Sequence, residues 1–437
     1  MRWTSLVVAV AELVGGVLSF EDPTSEFTLF RFRRLALKIY VRVSIREGVM
    51  RFFLKMVFSA LIVFVATTCT AQSGPGVNTP IIPLWRDPSP HTVQFLTVDK
   101  DVKLEVLDWG GSGRALVFLA GLGDTAHVFD DLAPKLTSEY HVFGITRRGY
   151  GASSAPATRE SAYSADRLGD DVLAVLGALK IEKPVLIGHS IAGEELSSVA
   201  TRHPDQVAGL IYLDAAYYYA YYSPAAGAEN LTIDIVTLQR ALVKLQTFPS
   251  DYKSLVNQML REDMPAIESD LHELQNAPMD NIPGRPQGSP PTAADRANCL
   301  TWRAWQEKEN GFALPEGECH QLHAIAADGH VGDLLPKPET AQAVIAGEQK
   351  YTDIRVPLLA IFALPHDPGL PYHSDPAALA ALEARDLKQT GMQVTAFEKG
   401  NPSAHTVRLP GAGHYVFITN ESEVLSVMHT FLAGLSS

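Results

Sequence analysis

From residue 91 onward the chain alternates between short apolar runs and stretches with a helical repeat. Apolar, β-branched runs occur at 92–98 (TVQFLTV), 102–108 (VKLEVLD), 115–119 (ALVFL), 141–145 (HVFGI), 184–188 (PVLIG), 209–213 (GLIYL), 357–363 (PLLAIFA) and 404–409 (AHTVRL). Each has the length of a strand. Several of the later ones are apolar at consecutive positions, as parallel strands covered on both faces are. The first two are separated by no more than a turn, which predicts an antiparallel pair. Helical patterns fill the gaps at 127–137, 166–179, 191–203, 376–388 and 421–433. This alternation predicts βαβ crossovers and an α/β fold: a mostly parallel eight-stranded sheet with helices on both faces.

One interval breaks the rhythm. Between Ala215 and Tyr351 no run reads as a strand, whereas 233–247 (IDIVTLQRALVKLQT) and 251–261 have amphipathic helical spacing. A Pro/Gly-rich stretch at 277–291 interrupts them and predicts a loop. The expected organisation is a core from 91–214 and 352–437, an inserted helical cap at 215–351, and a lead-in at 72–90.

The amino end follows a different pattern. Residues 50–71 (MRFFLKMVFSALIVFVATTCTA) place Arg51 and Lys55 before an apolar run from Met56 to Ala66, followed by small residues. That is the three-part layout of an export signal, with cleavage expected after Ala71. The apolar run falls short of the roughly 20 residues that a membrane span requires. Lipidation at Cys69 and a membrane anchor through the amino terminus are the alternatives. Since an export signal opens a protein, residues 1–49 are expected to lie upstream of the true start at Met50. The mature enzyme is then periplasmic or secreted.

Composition narrows the partners. The 437 residues are 46% hydrophobic and 19% charged, enough for a large core and unlike a disordered chain. Net charge is −13, from 49 acidic and 36 basic residues; residues 72–437 alone carry 44 and 27, a net −17. That balance argues against nucleic acid and leaves a small-molecule substrate. Three cysteines are too few for a disulfide scaffold, although Cys299 and Cys319 suit one bridge in an exported chain. Cys319, His320, His323 and His330 match no common metal spacing, and neither metal nor cofactor is anticipated.

The strongest chemical signal is Val185-Leu-Ile-Gly-His-Ser-Ile-Ala-Gly193, an apolar strand running straight into a helix through Ser190. A serine on so sharp a turn needs small neighbours two residues to either side, which Gly188 and Ala192 provide. The turn lifts the hydroxyl out of the carboxyl edge of the sheet, towards the positive end of the helix. Glu194 and Glu195 suit that helix dipole. Near the carboxyl end, Leu409-Pro-Gly-Ala-Gly-His-Tyr-Val-Phe417 follows a strand and precedes the last helix. His414 there can reach over the sheet edge, accept the Ser190 proton and return it to a leaving group.

These motifs resemble the α/β-hydrolase fold family, whose members carry Ser, acid and His in that chain order. The resemblance implies a capped serine hydrolase, most simply a carboxylic ester hydrolase working through an acyl-enzyme on Ser190, without metal or cofactor. The Ser nucleophile sets it apart from dehalogenases and epoxide hydrolases, whose elbow carries Asp. The family acid usually follows the seventh strand, where Asp367 is the nearest carboxylate, displaced by one from the usual position, which His366 holds. Asp214, ending the sixth strand, is the alternative, and Asp375 a third. The oxyanion donors implied are the amides of Ile191 and Leu122, the latter in Phe118-Leu-Ala-Gly-Leu-Gly-Asp124. Thr146-Arg-Arg-Gly-Tyr-Gly-Ala-Ser153 resembles a family loop and reads as bracing, with Arg148 paired internally. Ala216-Tyr-Tyr-Tyr-Ala-Tyr-Tyr222 opens the cap and either lines the cleft or packs beneath it. A haloperoxidase or acyltransferase with the same triad, and a ligand-binding member without catalysis, are the other readings.

Overall fold

The computed structural model describes residues 85–276 and 289–435. The segments 1–49 and 50–71, most of the lead-in and most of the 277–291 loop lie outside the described residues. All eight apolar runs form strands of one sheet: β1 (Thr92–Asp99), β2 (Val102–Gly110), β3 (Ala115–Leu119), β4 (His141–Ile145), β5 (Val185–His189), β6 (Gly209–Leu213), β9 (Leu358–Ala363) and β10 (His405–Leu409). Their order is β1-β2-β4-β3-β5-β6-β9-β10. β1 and β2 pair antiparallel, as does β2 with β4, and the remaining pairs are parallel.

The consecutive apolar residues serve both faces of the sheet. In β5, Leu186 joins one buried cluster while Val185 and Ile187 join the other. Helices α1 (Ala165–Leu179) and α2 (Ala192–Arg202) cover the first face with Leu168, Val172, Leu196 and Val199. On the second face sit the turns after β3 and the last helix, through Phe129, Leu132, Val424 and Met428. Such double cover explains why these strands read as continuous apolar runs.

Between β6 and β9 the chain adds α3 (Leu231–Leu245), α4 (Met264–Asn276), α5 (Cys299–Asn310) and α6 (Glu316–Leu322). It also holds a hairpin that the periodicity missed, β7 (His323–Ile325) with β8 (Val331–Leu334). Strands of three and four residues are too short to show an alternation. Cys299 and Cys319 are joined in a disulfide, with Cα atoms 5.8 Å apart, tying α5 to α6. Two other boundaries shift. The helix expected at 127–137 is two 3-10 turns, Ala126–Phe129 and Ala133–Leu136, because Pro134 has no N–H and disfavours helical geometry before it. The helix expected at 376–388 runs on as α7 (Pro376–Gly400), held by buried Val394 and Phe397. The chain ends in α8 (Glu421–Gly434). No helix among the described residues is long and apolar enough to cross a membrane.

Candidate active site

β5 passes into α2 through Ser190, whose φ of 53° lies in the left-handed region that a residue with a Cβ occupies at a cost. Close approach of strand and helix imposes the turn. A Cβ on Gly188 would lie 2.7 Å from Leu196 Cδ1 and 3.1 Å from Ala192 Cβ; one on Gly193 would lie 2.0 Å from the Ala215 carbonyl oxygen. The strict demand for glycine therefore falls on Gly193, and the methyl of Ala192 fits.

The loop after β10 brings His414 to this turn. Its Nε2 stands 2.9 Å from Ser190 Oγ and its Nδ1 2.6 Å from Oδ2 of Asp214. With Nδ1–H given to the carboxylate, Nε2 is left to accept the serine hydroxyl. Asp214 follows β6 directly, is wholly buried, and like Ser190 has a positive φ, 49°. Its Oδ1 accepts the Ala363 amide at 2.9 Å and the Tyr217 hydroxyl. Burial by itself would raise this carboxyl, but hydrogen bonds from His366 and His414 outweigh it and hold Asp214 well below the usual carboxylate range.

Asp367, the carboxylate expected opposite His414, is elsewhere. Its Oδ1 accepts from the Gly369 amide and from His373 Nε2, both at 2.8 Å. The reason is the parity of an extended backbone. His366 makes a parallel bridge with Ala412, and the Asp367 amide donates to the Ala412 carbonyl, so adjacent side chains here point to opposite sides. A displacement by one residue turns Asp367 away and His366 inward.

His366 is a site residue that sequence reasoning passed over. Its Nε2 donates to Asp214 Oδ2 at 2.8 Å, and its Nδ1 to Asp386 Oδ2 of α7 at 2.9 Å. Burial opposes its charge, yet the two carboxylates push the imidazole up to about 10, so it is a cation at neutral pH. Asp214 is thus shared by two imidazoles, one facing Ser190 and one facing Asp386. The visible signal was the histidine occupying the position usual for the acid, together with an aspartate ending β6.

The loop after β3 lies against Ser190: a Cβ on Gly121 would be 3.3 Å from Ser190 Cβ and 2.9 Å from His189 Nδ1. Arg147 braces the loop, donating to the Ala120 carbonyl at 2.8 Å and the Gly121 carbonyl at 3.0 Å. Its guanidinium is held in turn by Glu195, at 2.6 Å and 3.2 Å. Glu195 therefore does more than suit the helix dipole. In a trans peptide N–H and C=O point opposite ways, so engaging the Gly121 carbonyl turns the Leu122 amide away from Arg147. Ile191, next after Ser190, is buried at the start of α2. Arg148 is paired with Asp171 through two bonds of 2.6 Å, wholly inside the protein.

Two further residues frame the histidine. His189 donates through Nε2 to the His414 carbonyl at 3.1 Å, and burial lowers its imidazole to about 3, so it stays neutral. The tyrosine-rich segment divides its work. Tyr217 binds Asp214 and Tyr219 faces the Ser190 side chain, whereas Tyr221 packs on Phe397 and Tyr222 stacks under Lys350.

Comparison with known proteins agrees with this architecture. The profile described as alpha/beta hydrolase fold matches residues 114–307. The chain is 37% identical over 107 residues to a fluoroacetate dehalogenase from Burkholderia sp, covering 24% of this chain and 35% of that one. It is 23% identical over 271 residues to 2-(acetamidomethylene)succinate hydrolase from Mesorhizobium japonicum, covering 58% and 87%. The chain thus spans about a third of the dehalogenase but most of the succinate hydrolase. The crystal structure of E-2-(acetamidomethylene)succinate hydrolase superposes with a TM-score of 0.48 at 17% identity, covering 79% of this chain and 100% of that one. These relatives are hydrolases. Strand order, elbow and profile match together give this chain the α/β-hydrolase fold.

Proposed function

We propose that this protein is a serine hydrolase that cleaves carboxylic esters of small or medium, partly apolar substrates through an acyl-enzyme on Ser190. The observation that carries the reading is the continuous line from Ser190 Oγ through His414 to buried Asp214, at 2.9 Å and 2.6 Å. Ser190 attacks the ester carbonyl carbon while its proton passes to His414 Nε2. Asp214 stabilises the imidazolium that forms and keeps its own charge. The oxyanion is received by the Ile191 and Leu122 amides. Collapse breaks the bond to the alcohol, which leaves with the proton from Nε2. Water then attacks the acyl carbon by the same route, returning Ser190 and releasing the acid.

The nucleophile type supports this reading over that of the dehalogenase relative. A hydroxyl activated by an imidazole acylates at a carbonyl, whereas displacement of halide needs a nucleophile whose ester can be opened again at the acyl carbon. Tyr217 and Tyr219 support the partly apolar substrate, since their rings stand beside the triad. The insertion between β6 and β9 then serves as the cap over the cleft.

Ser190→Ala should abolish p-nitrophenyl acetate hydrolysis, by roughly 10⁴-fold or more, together with labelling by a fluorophosphonate probe. Unaltered turnover in that variant would sink the assignment. Product analysis with an alcohol acceptor separates hydrolysis from acyl transfer. We also propose that the enzyme acts outside the cytoplasm, a reading supported by the signal pattern at 50–71 and by the Cys299–Cys319 pair.

A further inference from the structure

Away from Ser190, four side chains distant in sequence converge. Asp87 and His91 come from the lead-in; His127 and Asp130 come from the turn that follows the loop carrying Leu122. His91 Nδ1 lies 2.9 Å from Asp130 Oδ1. His127 Nδ1 lies 3.1 Å from both Asp87 Oδ2 and Asp130 Oδ2, and His91 Nε2 lies 3.9 Å from Asp87 Oδ2. One donor atom from each residue lies within 4.8 Å of every other. Ligand bonds of about 2.0–2.2 Å in a tetrahedron imply donor separations of about 3.3–3.6 Å, so four donors within 4.8 Å of one another have to draw in slightly around an ion.

Burial makes the cluster unlike a surface group of acids. Side-chain exposure is 2% for His91, 4% for His127, 4% for Asp130 and 15% for Asp87. Carboxylates also outnumber the bases around it. Glu105 Oε1 stands 3.6 Å from His127 Nε2, and wholly buried Glu318 takes the Thr125 amide and hydroxyl next door. The backbone of α6 also comes close to the donors. Gly317 of α6 passes so near that a Cβ there would meet Asp87 Oδ2 at 2.4 Å, Asp130 Oδ2 at 2.7 Å and His127 Nδ1 at 2.9 Å. Three donors thus converge beside the Gly317 backbone, where any larger residue would collide with them. Trp109 Nε1 donates to Asp130 Oδ1 at 3.1 Å, the kind of outer contact that orients a ligating carboxylate.

We propose that Asp87, His91, His127 and Asp130 form a structural site for one divalent transition metal of the zinc class. Two imidazoles and two carboxylates, all from the protein, are ligand types zinc accepts and fill its four tetrahedral positions, and the imidazoles suit it better than calcium or magnesium. The ion would fasten the lead-in to the segment after β3, and so hold the end of the loop that presents Leu122. It takes no part in the chemistry at Ser190, and the inference stands whether or not the protein is an esterase.

The test uses the full chain without a histidine tag, stripped with a chelator, exposed to zinc chloride and passed through gel filtration. One zinc per chain by elemental analysis, with a rise in melting temperature on loading, is the expected result. His91→Ala and Asp87→Asn should lose the zinc, while His330→Ala, outside the cluster, should keep it. Cobalt loading of the unmutated chain gives a readout that needs no variant to fold: a four-coordinate site develops intense visible absorption bands. Failure to retain zinc, with an unchanged melting temperature and no such bands, would show a hydrogen-bonded histidine–carboxylate cluster and overturn the proposal. Zinc retained in full by a folded His91→Ala would overturn it equally.

Discussion

At the scale of single residues, the decisive question is which carboxylate serves His414. Asp214→Asn should lower kcat by about 10⁴-fold, since an amide leaves the imidazole in the wrong tautomer and its charge unsupported. Asp367→Asn should leave kcat unchanged, because the Asp367 carboxylate bonds the Gly369 amide and His373, away from His414. Equal losses in steady-state rates of the two variants would contradict this geometry. Ser190 and His414 were legible because the elbow and the Gly-His loop are local motifs. The acid was not, because its identity depends on backbone parity across a bridge between residues 366 and 412. His366 adds a pH dependence. Its imidazole is raised from 6.5 to about 10 by Asp214 and Asp386 against the effect of burial. A raised pKa means that stability from this proton is full below about 6.5 and is lost as pH rises through about 10. Denaturant unfolding should show the advantage of the native chain over His366→Gln constant in acid and shrinking between those values. A gap independent of pH would refute a charged His366.

At the scale of elements, the junction of β5 with α2 is held by contact distances. Gly193→Ala places a methyl 2.0 Å from the Ala215 carbonyl oxygen, a backbone atom with no freedom to yield. It should cost about 1–3 kcal/mol or more and displace the elbow, so that fluorophosphonate labelling falls with stability. Gly188→Ala meets first the flexible end of Leu196, and should cost less. Thermal melts of the two variants check the order; a reversed order would show that the junction yields elsewhere. The sequence pointed to Gly188 and Ala192 as the small pair, and the packing shifts the strict requirement to Gly193. Arg147 shows the same limit. A sequence motif marks the Thr146–Ser153 loop as bracing, but which of its arginines holds the loop behind Ser190 depends on where Glu195 of α2 lies.

At the scale of the whole molecule, the export reading and the cysteine pair stand together. The mature protein should begin near Gln72 on amino-terminal sequencing and show no free thiol until reduced, since only Cys299 and Cys319 would remain. An intact Met1, or two titratable thiols in the unreduced protein, would count against export. The net −17 of residues 72–437 would then be the charge of the exported chain. By itself the sequence determined the eight strands, the sandwich of helices around them, and Ser190 and His414 as the proposed nucleophile and base, because each is written in neighbouring residues: a buried parallel strand as an apolar run, an elbow as a strand, a serine and small flanks. Only the tertiary structure decided that Asp214 and not Asp367 faces His414, that His366 is charged between two carboxylates, and that Asp87, His91, His127 and Asp130 meet. Those facts depend on distances between segments up to about 200 residues apart, which local pattern does not encode.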